Sequence, residues 1–210
     1  MNTSGNEQLD AVLQKDYTVD VEKYFRKGWE VMQPNIIQMV GFFLIIAIVS
    51  SIPGVGVVAA GPLVAGFTFV VLAILRGKSF VFNDFFKGFT NKYFLQLFLV
   101  YLVSSLLIAI GMLFLLIPGI YLAVSYIFAI QFAVDWDLEF WPALETSRTF
   151  VAKQLVQVFI LSLALVALNF VGALCLGIGM LVTVPLSFCI IVSAYDDLAG
   201  NRANDSTRSA

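Results

Sequence analysis

The 210-residue chain contains no histidine, and only 12% of its residues are charged. Histidine is a common general base and a common metal ligand, so its absence leaves few ways to build a catalytic or metal site. The net charge of −2 excludes a broadly basic surface for nucleic acid. We therefore expect no enzymatic activity, no cofactor, no metal site and no nucleic-acid partner.

Cysteine is also scarce, and the first residues are polar. Cys175 and Cys189 both lie in apolar segments, where a cysteine is usually a small core residue. A redox pair or a metal site is the alternative interpretation. The first thirty residues lack the apolar core of a signal peptide, so we expect the mature chain to begin at or near Met1.

Apolar residues are abundant: they make up 60% of the sequence, and the mean hydropathy is +0.93. Three segments contain no charged residue, namely 31–75, 93–134 and 154–195. Each is about twice the roughly 20 residues that a helix needs to cross a bilayer. The sequence therefore predicts an all-α transmembrane fold, with six membrane-spanning helices in three hairpins. Proline and glycine place the turns of these hairpins at 52–56, 118–119 and 177–179.

A stretch of mixed aromatic and charged residues precedes each hairpin, and the spacing of its apolar residues is roughly helical. We expect a cytoplasmic amphipathic helix at the membrane interface before each hairpin. For the first stretch, a soluble helix packed on another domain is the alternative. The motif FRKGW at 25–29 matches FFKGF at 85–89, which indicates an internal repeat of about 60 residues. The three hairpins are thus predicted to be pseudo-repeats.

The basic residues predict how the chain is oriented. All twelve lysines and arginines lie outside the three hairpins, and the positive-inside rule places their segments, with both termini, in the cytoplasm. We expect residues 19–198 to form the transmembrane domain. A disordered polar tail is expected at 1–18, with a short helix over 8–14, and a second polar tail at 199–210.

Polar groups within the spans offer candidate site residues. Gln38, Gln96 and Gln157 lie at similar depths near the inner end of each outgoing helix, and Asn169 lies in the fifth span. One interpretation is interhelical hydrogen bonding, and the other is a polar cavity around a pseudo-threefold axis. No ionisable residue lies within a predicted span, which argues against an ion-coupled transporter.

The charged segments allow two further interpretations. Acidic residues such as Asp135 and Asp196 could hold Mg²⁺, but helix capping explains them adequately. Aromatic and basic residues could bind lipid headgroups, and generic anchoring at the interface is the alternative. The candidate headgroup contacts are Lys78, Lys87, Lys92, Arg148 and Lys153.

Several motifs resemble one bacterial family. FFKGF at 85–89, LIPGI at 116–120, the paired Asp135 and Leu138, and Pro185 followed by Ala194–Tyr195 occur in this order. The chain looks like the polytopic membrane proteins catalogued as domain of unknown function 975, which are related to the membrane domain of some glycerophosphoryl diester phosphodiesterases. It departs from that family at 152–153, where Ala–Lys stands in place of Gly–Asn. The resemblance implies six spans and no specific activity.

Two functions fit these observations. The first is a non-enzymatic scaffold or accessory subunit of a complex in the bacterial cytoplasmic (inner) membrane. The second is a lipid-handling protein or a small-solute pore built on the three hairpins. The expected partners are membrane lipids and either another membrane protein or a second copy of the chain.

Overall fold

The computed structural model describes residues 3–175 and 178–200, and all the regular secondary structure of these residues is helical. Short 3-10 segments at Gln33–Asn35 and Phe82–Phe89 follow α2 and α4 respectively. The α-helices are α1 (Thr3–Gln14), α2 (Val21–Met32), α3 (Ile36–Ser50), α4 (Val55–Leu75), α5 (Phe94–Phe114), α6 (Leu116–Ser125), α7 (Ala129–Asp135), α8 (Phe140–Ala152), α9 (Leu155–Leu174) and α10 (Met180–Leu198).

Six helical stretches among these residues are long and apolar enough to cross a membrane. One of them, Val21–Ser50, joins α2 and α3, and another, Leu116–Asp135, joins α6 and α7. The other four are α4, α5, α9 and α10. The prediction of an all-α fold with six candidate spans is confirmed, and the chain is a multi-pass membrane protein by length and composition.

The returning half of each hairpin is more buried than its outgoing half, although the beginning of α6 is exposed. In the most apolar part of each returning span, the share of residues that are buried is 67% for α4, 50% for α6–α7 and 61% for α10. In the outgoing spans this share is 22%, 11% and 22%. Aromatic rings fill the space between the returning helices. Phe67 of α4 stacks on Phe188 of α10 at 4.9 Å, and Phe132 of α7 meets Tyr195 of α10 edge-on at 5.1 Å.

Small residues allow α4 to approach its neighbours closely. A Cβ on Gly61 would overlap the carbonyl oxygen of Leu97 on α5, and a Cβ on Gly66 would overlap that of Phe85. Lipid is as apolar as the helix surfaces, so helices associate in a membrane through close packing and hydrogen bonds. The spacing of the small residues Gly61 and Ala65 in the sequence predicts a tight helix contact, and the structure places this contact against α5.

The turn of the second hairpin lies at Leu115, which has extended backbone, and not at the predicted 118–119. Pro118 and Gly119 both lie in the first turn of α6. Proline suits that position because its fixed φ matches a helix and its missing N–H would have no intrahelical partner there. Gly119 lies against Met112 of α5, and a side chain on Gly119 would overlap it.

The returning half of this hairpin is interrupted, which the sequence analysis did not predict. α6 ends at Ser125, and three residues in a turn conformation separate it from α7. A break inside a span frees backbone groups that lipid cannot satisfy. The buried hydroxyl of Ser147 on α8 donates to the Ser125 carbonyl oxygen at 2.7 Å. Helix α8 thus provides a hydrogen-bond donor for a carbonyl group at the break.

The N-terminal segment is helical and packed where a disordered tail over 1–18 was expected. Helix α1 covers Thr3–Gln14, and not only 8–14. The Tyr17 ring stacks on Phe150 of α8 at 4.4 Å, and its hydroxyl donates to the Phe150 carbonyl oxygen at 2.9 Å. The prediction was wrong because it judged the polar composition locally and did not include this distant aromatic partner.

The C-terminal helix runs further than predicted. Helix α10 continues past the expected end at Tyr195 and finishes at Leu198. Of the polar tail expected at 199–210, residues 201–210 lie outside the described residues. The third predicted turn, at 177–179, includes Gly177, which also lies outside them.

We predict that Gly61→Ala destabilises the fold by about 1–3 kcal/mol, because the added methyl group must displace the α5 backbone. The measurement is the thermal unfolding midpoint of the purified chain in detergent. Gly41→Ala on α3 is the matched control, since a Cβ there meets nothing within 4 Å. Alanine is a better helix former than glycine, so the control should be neutral or stabilising. Equal shifts in the two variants would contradict the packing role of Gly61.

Candidate functional site

Three returning helices end at one place on the same side of the molecule. Arg76 directly follows α4, Asp135 is the last residue of α7, and Asp196 lies in the last turn of α10. The Arg76 guanidinium donates to both carboxylate oxygens of Asp135, at 2.8 and 2.9 Å, and to Asp196 at 3.1 Å. The Tyr195 hydroxyl donates to Asp135 at 3.2 Å. We call these four residues the ion cluster.

The ion cluster is largely removed from water. The exposed fraction of the side chain is 11% for Arg76, 2% for Asp135 and 1% for Asp196. Burial by itself would lower the pKa of Arg76, but the hydrogen bonds and charge of Asp135, and then those of Asp196, outweigh it and raise the pKa. The guanidinium therefore stays charged, and its planar shape suits the bidentate contact with Asp135.

A second charged contact attaches α2 to the end of α10. The Lys23 ammonium lies 2.6 Å from a carboxylate oxygen of Asp197, and the Tyr24 hydroxyl donates to the same oxygen at 3.1 Å. One turn further along α2, Gly28 brings the helix against Ile190, and a Cβ there would overlap the Ile190 side chain. Helix α2 is thus fixed to α10 by a polar contact and by close packing.

The ion cluster can hold helices together, and its acidic groups are engaged with cations. Asp135 and Asp196, named above as possible Mg²⁺ ligands, accept hydrogen bonds from Arg76, and the neighbouring Asp197 accepts one from Lys23. Removing one member of a buried ion pair leaves an uncompensated charge, so such a cluster is costly to break. This geometry fits the helix-terminating role expected for these acids and adds a contact between hairpins.

The sequence contained a signal for the ion cluster, although sequence analysis did not single out Arg76. Arg76, Asp135 and Asp196 are each the first charged residue after a returning span, and they follow one another at intervals of about 60 residues. Residues at equivalent positions of packed repeats are expected to meet. Which charges pair with which still depends on how the three hairpins are arranged.

The three glutamines lie in separate environments. Gln38 is exposed on the outside of α3. Gln96 accepts a hydrogen bond from the backbone N–H of Phe140, at 3.1 Å, where α8 begins. Gln157 accepts one from the backbone N–H of Val19, at 2.6 Å, just before α2. The structure does not bring the three side chains together, which contradicts a shared polar cavity and supports local contacts between helices.

Asn169 makes a hydrogen bond between helices. Its side-chain amide donates to the Ser187 hydroxyl of α10 at 2.7 Å and to the Leu165 carbonyl oxygen of its own helix at 2.9 Å. An amide without partners in hydrocarbon is costly, and neutral hydrogen bonds of this kind join membrane helices. Asn169 therefore belongs with the residues that join α9 to α10.

Among the candidate headgroup residues, Lys87, Lys92 and Arg148 each lie beside an acidic side chain. Lys87 lies 3.0 Å from Asp84, and Lys92 lies 2.7 Å from Asp137, which raises the pKa of Lys92. Arg148 pairs with Glu145 of the same helix. Lys78 and Lys153 lie at exposed positions.

No protein-family model, curated protein or solved structure matches the chain. The resemblance to the domain of unknown function 975 family stays a prediction. Function is therefore inferred from the contacts of the chain itself.

We predict that Arg76→Met lowers the free energy of unfolding by about 3–5 kcal/mol, because it leaves two buried carboxylates without their guanidinium partner. Arg148→Met is the matched control. Its pair with Glu145 is exposed and should contribute only about 0–1 kcal/mol. Both variants would be measured by denaturant unfolding in mixed micelles. Similar losses in the two variants would show that the ion cluster does not hold the returning helices.

Proposed function

We propose that the chain is a non-enzymatic scaffold or accessory subunit of a complex in the bacterial inner membrane. The observation that carries this proposal is that polar side chains of the spans form hydrogen bonds within the protein. The side chains of Gln96, Gln157 and Asn169 form hydrogen bonds with neighbouring parts of the chain. Packed aromatic rings occupy the space between the returning helices. Such an interior stabilises a fixed shape, and a conduction path or a catalytic centre would instead require available polar groups.

The proposed architecture is a threefold repeat, in which an interfacial helix precedes each hairpin. In support, the ion cluster joins residues that end the three returning helices at intervals of about 60 residues. The segments before the outgoing helices are α2, the 3-10 helix at Phe82–Phe89, and α8. Trp29, Phe89 and Trp141 are exposed on these segments, as is typical of aromatic side chains that anchor a protein at the membrane interface.

Lipid handling is the second candidate function. The exposed Phe82 and Phe89 of the 3-10 helix lie beside Lys87, so one short segment presents rings for the interface and a cation for lipid phosphate. The pore version of this candidate is less favoured, because the three glutamines do not meet. Lipids are proposed as partners under both functions.

The scaffold proposal can be tested by photocrosslinking in cells with a short-lived amino-acid probe. Arg26 and Glu30 are exposed on α2, on the face away from α10, and Leu163 is exposed on the outer side of α9. We expect a discrete protein adduct from probes at 26 and 30, and only lipid adducts from the control at 163. The proposal fails if positions 26 and 30 give no protein adduct while the purified chain moves lipid or solute across vesicle membranes.

The proposed orientation places both termini and all basic segments in the cytoplasm. We predict that a cysteine replacing Ser51 reacts with an impermeant thiol reagent added outside, and that one replacing Ser79 does not. Both serines are exposed, and they lie at opposite ends of α4. The neighbouring Gly54 and Gly77 are unsuitable because they have positive φ, of 80° and 69°. Labelling of Ser79→Cys alone in intact cells would reverse the proposed orientation.

A further inference from the structure

An apolar groove runs between α6 and α9 on the outer surface of the bundle. Its volume is about 400 Å³, within the range of pockets that hold small ligands. Ile117, Tyr121 and Val124 line it from α6, and Val156 and Phe159 line it from α9. Its surface is entirely apolar, so it suits a hydrocarbon ligand.

The groove opens toward the outside of the bundle, where the spans face lipid. Val124 forms its floor and is only 6% exposed, whereas Ile117 and Val156 on its rim are 80% and 71% exposed. A helix rises about 1.5 Å per residue, so the wall from Ile117 to Val124 is roughly 10 Å long. One leaflet contributes about half of the roughly 30 Å hydrocarbon core. The groove therefore matches a segment of one acyl chain.

A pair of opposite charges lies at one end of this groove. Ser125, the last residue of α6, accepts a hydrogen bond from Ser147 of α8, and Arg148 is the next residue along α8. The Arg148 Nε lies 3.0 Å from a carboxylate oxygen of Glu145, and both side chains are about half exposed. Glu145 first, and then Tyr121 from the groove wall, raise the pKa of Arg148. The charged pair is thus close to the groove.

We propose that the groove binds one zwitterionic phospholipid with a primary ammonium group, the chemistry of phosphatidylethanolamine. An acyl chain occupies the groove, the lipid phosphate accepts hydrogen bonds from Arg148, and the lipid ammonium donates to Glu145. Glu145 repels the anionic headgroup of phosphatidylglycerol, and the choline of phosphatidylcholine has no N–H to donate. The site does not depend on the scaffold function proposed above.

The proposal is tested with the purified full-length chain in nanodiscs of equimolar phosphatidylethanolamine, phosphatidylcholine and phosphatidylglycerol with identical acyl chains. Native mass spectrometry then identifies the lipids that the released protein retains. We expect one retained lipid, with phosphatidylethanolamine favoured about tenfold, as one additional charge-assisted hydrogen bond implies. Equal retention of the three lipids, or a preference for phosphatidylglycerol, overturns the headgroup assignment.

A first variant tests the groove itself. Val156→Trp fills the groove from its exposed rim and should abolish the retained lipid. Leu163→Trp is the matched control, because Leu163 is also exposed, lies two turns further along α9 and does not line the groove. Unchanged thermal unfolding of both variants shows that the fold is intact. Retention that is equal in the two variants means that the lipid binds elsewhere.

A second variant tests the role of the acidic partner. Glu145→Gln should remove the preference for phosphatidylethanolamine over phosphatidylglycerol, while one lipid is still retained. Glu22→Gln, at an exposed position of α2, is the control and should preserve the preference. If Glu145→Gln also preserves it, the proposed contact between Glu145 and the ammonium group is wrong. Because the assay uses the purified chain, its failure leaves the scaffold proposal untouched.

Discussion

One guanidinium group joins the ends of helices that belong to three different hairpins. Arg76 pairs with Asp135 and Asp196, and all three side chains are nearly inaccessible to water. At the border of a membrane such charges are costly unless each has a partner, so the three helix ends must remain together. The position of the ion cluster therefore constrains how the returning helices α4, α7 and α10 are arranged.

The rest of the bundle follows from the way helices associate in lipid. Hydrophobic surface alone does not drive association there, so close contacts at glycine and neutral hydrogen bonds become decisive. Helix α4 illustrates the first through Gly61 and Gly66, and the pair of Asn169 and Ser187 illustrates the second. The outgoing helices add an apolar outer surface, and the groove lies where the outgoing helix α9 meets the exposed face of α6.

The division between interior and surface also supports the proposed function. Interior polar groups are used for contacts between helices, and exposed charges lie in the segments between the hairpins. The proposed partner contact lies on α2, whereas the proposed lipid site lies between α6 and α9, with its charged pair on α8. The two proposals therefore concern different parts of the surface.

The sequence by itself determined the six spans. Long uncharged runs of this length cross a bilayer as helices, because a helix provides hydrogen-bond partners for the backbone N–H and C=O groups that lipid cannot provide. It also indicated the tight contact at Gly61 and a partner for Asn169 on another helix. In lipid, small residues allow helices to pack closely, and amide side chains form hydrogen bonds between helices. Only the tertiary structure decided the turn at Leu115, the break after Ser125 and the separate partners of the glutamines. It also decided the ion cluster. These features depend on residues far away in the chain, whose contacts are set by packing between hairpins and not by local composition.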